Sequence, residues 1–152
     1  MELQFKRLSD GQIIDLNSYV KDFMVKFPET KIFIGCDSQN QGKYTTYALV
    51  IVLHQSTLGG HVLYQKIKLD KIRDRFERLW NEVEYSLQVA EFMKLCELPK
   101  PDYIDLDFNP DPRFKSNQIL RSALGYIEAM GYTPRCKPDA LSASYVADAI
   151  CK

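Results

Sequence analysis

The chain has 152 residues, of which 45% are hydrophobic and 26% charged, and its 20 basic residues balance 20 acidic ones. This composition excludes disorder as the main state, and no apolar run approaches the ~20 residues of a membrane span. Zero net charge excludes a protein that coats polyanions, but it is compatible with a local basic groove. Four cysteines without a CxxC pair and two histidines argue against a zinc site and a disulfide scaffold. We therefore expect a cytoplasmic protein with no membrane partner and, because residues 1–10 lack an apolar segment, no secretory signal.

The first half of the chain predicts an N-terminal helix followed by three strands. Residues 1–14 suit an arm or a short hairpin. Asp15 is a predicted N-cap, and apolar residues recur at helical spacing from Leu16 to Phe27. Strands are predicted at 32–35, 44–53 and 61–69, with polar turns at 39–43 and 55–60. Short connections between three strands favour an antiparallel meander.

The second half alternates helices and strands. An apolar stripe predicts a long helix that ends near Leu95. Its members are Phe76, Leu79, Trp80, Val83, Leu87 and Ala90. A strand at 103–108, a helix at 116–130, a strand at 132–136 and a helix at 140–150 follow. This order, βββαβαβα after an extra N-terminal helix, predicts an α/β fold with a mixed five-stranded sheet flanked by helices. We expect one domain, with residues 1–30 packed on 31–152.

Three aspartates belong to predicted strands. Asp37 directly follows the first strand, and ligands of open α/β sheets collect outside strand carboxyl ends. The alternative is a turn residue that binds nearby backbone N–H groups. Strand alternation puts Asp105 and Asp107 on one face, where like charges repel. Either a cation lies beside them, or the strand is a solvated edge.

Three further acids lie on predicted helices. Glu82 and Glu84 flank the apolar stripe of the long helix, so periodicity does not choose between them, and either is compatible with a solvated surface. Asp148 opposes the helix dipole near the end of the last helix, which points to a function or to a frayed terminus.

The distribution of these acids is more informative than any one of them. Strand ends and flanking helices of an α/β sheet can converge on one point. Mg²⁺ and Mn²⁺ prefer oxygen ligands of this kind, and two such ions can activate water against a phosphodiester.

Strand order and acid placement together resemble the ribonuclease H-like superfamily, and more narrowly the bacterial YkuK-type family of predicted nucleases. The segments that carry the resemblance are Ile34-Gly35-Cys36-Asp37-Ser38-Gln39, the helix segment 78–87, Ile104-Asp105-Leu106-Asp107-Phe108-Asn109, and Lys137-Pro138-Asp139-Ala140 through Val146-Ala147-Asp148. The similarity spans roughly residues 31–150, and its last segment is the most specific.

The resemblance implies a fold, a metal and a ligand set. Its metal ligands and catalytic residues would be Asp37, Glu82, Asp107 and Asp148, holding two Mg²⁺ or Mn²⁺ ions. Only the family pattern favours Glu82 over Glu84. Accessory roles would fall to Asp105, Glu84, Ser38 and Lys137. Asp105 departs from the family, where a less acidic residue, often His, is expected.

Basic residues near the proposed helix suit a nucleic-acid partner. Candidate phosphate contacts are Lys71, Arg75, Arg78 and Lys115, and Lys137 would lie near the metals. Interleaved acids also allow an ion-paired, solvated helix face.

Together these features predict a cytoplasmic, metal-dependent nuclease acting on RNA, hybrid or branched DNA. A non-catalytic nucleic-acid or protein-binding module and a phosphohydrolase of small esters are the alternatives. The oligomeric state stays open.

Overall fold

The strands of the protein form one mixed sheet. A computed structural model describes residues 2–56, 59–108, 113, 117–136, 147, 150 and 151. The strands are β1 (Lys6–Arg7), β2 (Lys31–Gln41), β3 (Tyr44–Gln55), β4 (Gly59–Asp70), β5 (Tyr103–Leu106) and β6 (Pro134–Cys136). The helices are α1 (Leu16–Lys26), α2 (Arg75–Leu95) and α3 (Asn117–Ala129). Residues 147, 150 and 151 are also helical.

The order of strands across the sheet is β1-β4-β3-β2-β5-β6. Strands β2, β3 and β4 form the expected antiparallel meander, and β5 and β6 extend it in parallel on the other side of β2. The mixed α/β architecture is thus confirmed. The sheet has six strands where five were expected. The additional strand is β1, in which Lys6 and Arg7 pair with Tyr64 and Leu63. A two-residue strand is too short to show an alternating pattern.

The β2–β3 hairpin corrects the strand end expected at Asp37. Strand β2 continues to Gln41, which pairs with Tyr44, so the turn is only Gly42 and Lys43. Gly42 has φ 58°, which glycine adopts readily in a two-residue hairpin turn. The second half of β2 is polar, so the hydrophobic pattern did not predict it. Its strand conformation depends on backbone pairing with β3. Asp37 therefore lies inside a long strand.

Helices α1 and α2 each begin at an aspartate cap. Asp15 accepts a hydrogen bond from the backbone N–H of Ser18 (3.2 Å), as predicted for the start of α1. Asp74 accepts one from the backbone N–H of Phe76 (2.9 Å) at the start of α2. The predicted stripe of α2 is buried only in part: Phe76, in its first turn, is 51% exposed. Phe76 belongs to the stripe but not to the packed part of the helix, which begins at Leu79.

Each face of the sheet carries its own core. Strand alternation sends Leu49 and Ile51 to a large core shared with α1, α2 and α3. It sends Val50 and Val52 to a smaller core that includes Ala147 and Cys151. In the described part of the chain, no helix is both long enough and apolar enough to cross a membrane.

Candidate active site

Asp37 and Asp107 come from neighbouring parallel strands. Strands β2 and β5 align Gly35 with Asp105. The same register, carried two residues further, brings Asp37 level with Asp107. Alternation assigns both to the face of the smaller core, and Oδ1 of Asp107 is buried. By this register the two acids lie on the same face of the sheet, near the end of β5.

Glu82 approaches Asp37 and Asp107 from α2, which packs on the opposite, large-core face of the sheet. Its side chain is only 2% exposed, and its Oε2 accepts a hydrogen bond from the Ser38 hydroxyl (2.7 Å). Burial raises the pKa of Glu82 well above its ordinary value, and the charges of Asp37 and Asp107 raise it further. The Ser38 hydrogen bond and the positive charge of Arg78 act in the opposite direction. The carboxyl group of Glu82 thus favours a bound proton or a nearby cation.

Arg78 is turned toward Ser38. Its Nη1 donates to the carbonyl oxygen (3.1 Å) and to the hydroxyl oxygen (2.9 Å) of that serine. The guanidinium thereby positions the hydroxyl that binds Glu82. A phosphate contact by Arg78, as predicted from the sequence, would use its other N–H groups.

Asp105 does not join these acids but forms an ion pair with Arg135, a residue that the sequence analysis missed. Nε and Nη2 of Arg135, from β6, donate to the two carboxylate oxygens of Asp105 (2.8 and 3.0 Å). The guanidinium also lies over the rings of Phe33 and Tyr103, 4.6 and 4.3 Å from their centroids. Asp105 is fully buried. A cation was expected beside Asp105 and Asp107. For Asp105 this cation is the side chain of Arg135, which the register places opposite it on the adjacent strand.

Glu84 faces away from Asp37. Its Oε2 lies 3.5 Å from the hydroxyl of Tyr126 on α3. The ring of Tyr126 stacks on Trp80, with centroids 5.6 Å apart. Of the two glutamates, the structure therefore brings Glu82 to the aspartates and Glu84 to α3.

Cys151 packs beside Asp37 on the face of the smaller core. Cys151 Sγ lies 3.3 Å from the carbonyl oxygen of Asp37 and 3.4 Å from that of Thr46. Burial, followed by the charge of Asp37, raises the pKa of the Cys151 thiol to about 12. The sequence offered no signal for this contact. Lys71 and Arg75 are exposed near the start of α2, whereas Lys115, Lys137 and Asp148 lie outside the described residues.

The chemistry of these acids suits a divalent ion. Mg²⁺ and Mn²⁺ take carboxylate oxygens, and three carboxyl groups lie near enough for Asp37 and Asp107 to affect the pKa of Glu82. Within the ranges given above, no three Asp, Glu, His or Cys side chains are close enough together to hold an ion as they stand.

The mixed sheet flanked by helices is the fold of a ribonuclease H-like protein. The family model described as "Ribonuclease H-like" matches residues 15–152. The chain belongs to this family, whose fold is that of nucleic-acid-processing nucleases, and the resemblance to the YkuK-type family is confirmed. The match begins at the N-cap of α1 and thus includes a helix that the sequence resemblance, starting at residue 31, left out.

Two crystal structures of Ciona intestinalis endonuclease V, bound to DNA that contains an inosine followed by a ribo-adenosine, are similar to this chain. Both are 18% identical and cover 61% of this chain, with TM-scores of 0.35 for a variant enzyme and 0.34 for the second structure. The chain spans only 44% of each of those proteins. No curated protein matches the sequence.

Proposed function

We propose that the protein is a divalent-metal-dependent nuclease that hydrolyses phosphodiester bonds in RNA or in structured nucleic acid, such as RNA–DNA hybrids or branched DNA. The observation that carries this proposal is the burial of Glu82, which is 2% exposed beside Asp37 and Asp107. An acid in such a place costs free energy unless a proton or a cation compensates it. Membership of the ribonuclease H-like family supports the same conclusion.

Asp37, Glu82 and Asp107 would hold the metal, one or two Mg²⁺ or Mn²⁺ ions, and Asp148 would complete the ligand set. A bound ion supplies the activation of the attacking water and the neutralisation of the leaving 3′ oxygen. Ser38 fixes the orientation of the Glu82 carboxyl group, and Arg78 fixes Ser38. Arg75, Lys71 and Lys115 would bind phosphates of the substrate, as point charges that are sensitive to salt.

A cleavage assay with two matched glutamate variants tests this function. Purified wild type, Asp37→Asn, Glu82→Gln and Glu84→Gln are assayed with Mg²⁺ or Mn²⁺ on single-stranded RNA, RNA–DNA hybrid and branched DNA. We expect Asp37→Asn and Glu82→Gln to lose about 100-fold or more of the rate, because a charge next to the reacting phosphate is removed. Glu84→Gln, two residues away on the same helix, keeps its activity.

Equal activity in all four proteins would indicate a contaminating nuclease and refute the proposal. Binding of nucleic acid without turnover of any substrate would favour the non-catalytic binding module instead.

A further inference from the structure

The start of α2 carries a cleft that the proposed catalytic group does not use. Arg73, Arg75 and Phe76 line it from one side, and Gln118 and Ile119 of α3 line it from the other. Its volume is about 390 Å³, within the ~300–1,000 Å³ of ligand clefts. Phe76 is 51% exposed, unlike the buried residues of the stripe that follows it.

An exposed aromatic ring beside two arginines is a combination that can bind a nucleotide. Base faces stack on aromatic rings whatever the sequence, and arginines follow the phosphates of the backbone. Asp74 also lines the cleft, but its carboxylate accepts a hydrogen bond from the backbone N–H of Phe76 as the helix cap, and the two arginines outnumber it. We propose that this cleft binds an unpaired nucleotide of the substrate strand, with its base stacked on Phe76 and its phosphates on Arg73 and Arg75.

The position of the cleft connects it to the candidate active site. Arg75, Arg78 and Glu82 follow at i, i+3 and i+7, and therefore lie along one side of α2. Seven residues of helix span ~10 Å, so the cleft opens about two turns from Glu82. A strand that enters along Phe76 and Arg75 passes Arg78 before it reaches the acids. The inference rests on the proposed function, and it implies a preference for substrates with a single-stranded segment.

Binding measurements without cleavage test this inference separately. Fluorescence anisotropy in EDTA compares a short single-stranded oligoribonucleotide with the blunt duplex of the same sequence. Phe76→Ala should weaken single-strand binding by about five-fold or more, as expected for one lost stacking contact, and should leave duplex binding nearly unchanged. Leu95→Ala is the control, since Leu95 is 83% exposed at the other end of the same helix.

Two further variants keep the test independent of folding defects. Phe76→Trp should bind at least as tightly as wild type, and its added fluorescence should be quenched by the single strand, whereas that of Leu95→Trp should not. Arg75→Gln should lower the salt dependence of binding, and Lys94→Gln should not.

Unchanged affinity of Phe76→Ala, or no quenching of Phe76→Trp, overturns the inference, as does a wild type that binds neither oligonucleotide. Failure of the nuclease proposal looks different: the Phe76 effects on binding persist while no metal supports cleavage.

Discussion

Asp105 and Glu82 are both buried acids near the junction of β2 and β5, and the fold treats them in different ways. Asp105 receives two hydrogen bonds from the Arg135 guanidinium, which matches its charge. Glu82 receives a hydrogen bond from the neutral Ser38 hydroxyl, and two other acids lie nearby. The first arrangement fixes β5 against β6. The second leaves a buried carboxyl group without an ion pair beside two other acids, which favours either a bound proton or a nearby cation.

Breaking the Arg135 pair should have the largest effect on stability. Arg135→Met leaves the Asp105 carboxylate buried without its guanidinium, which costs about 3–5 kcal/mol in the free energy of unfolding. Urea unfolding measures the loss. The double variant Asp105→Asn with Arg135→Met should recover most of it, since no buried charge remains.

The exposed pair of Arg7 and Asp10 is the matched control for Arg135. Its closest approach is 2.6 Å, yet Arg7→Met should lower stability far less than Arg135→Met does, because water already solvates both partners. Similar losses for Arg7→Met and Arg135→Met would show that the Asp105 pair is not a buried structural contact.

Asp105 and Glu82 also show which features of the molecule can be predicted from the sequence and which cannot. Hydrophobic periodicity, turn residues and the residue type at the Asp15 cap predicted the meander and the three described helices, because all of these are local patterns. The same patterns also placed Asp37 and Asp107 beside strands that proved to be neighbours. The Asp105–Arg135 contact depends on the register of two short strands that are 30 residues apart, and no local pattern encodes it.

The choice between Glu82 and Glu84 is of the same kind. Both flank the apolar stripe, and only the packing of α2 against β2 shows which one meets Ser38. The polar half of β2 was missed for a related reason: its pairing with β3 is a backbone property.

Removing the charge of Glu82 should change the pH dependence of stability without metal. The pKa of Glu82 is raised in the folded state, so above pH ~4.3 the folded protein binds more protons than the unfolded chain does. The free energy of unfolding therefore falls as pH rises from there, by at most about 1.4 kcal/mol per pH unit. Glu82→Gln does not titrate and loses this component. Thermal melts in EDTA from acidic to neutral pH measure it. Curves of equal slope for wild type and Glu82→Gln would contradict the assigned burial.

Ser38→Ala is expected to have the smallest effect of the three. It removes the hydroxyl between Arg78 and Glu82, at a cost of about 1 kcal/mol in stability. Ser38→Thr, which retains the hydroxyl, is the control. A metal-dependent rate that falls more than stability in Ser38→Ala would show that the hydroxyl positions Glu82, whereas an unchanged rate would assign it a purely structural role.

The most direct test of the metal site is the anomalous signal from Mn²⁺ in crystals of wild type and Asp37→Asn. Asp37, Glu82 and Asp107 are the hard oxygen donors of the proposed site, so their oxygens should lie about 2.0–2.6 Å from a bound ion. We predict a peak among these three carboxyl groups in wild type and its weakening or loss in Asp37→Asn. A wild-type crystal with no peak at this position, under saturating Mn²⁺, would contradict the metal site and with it the proposed nuclease.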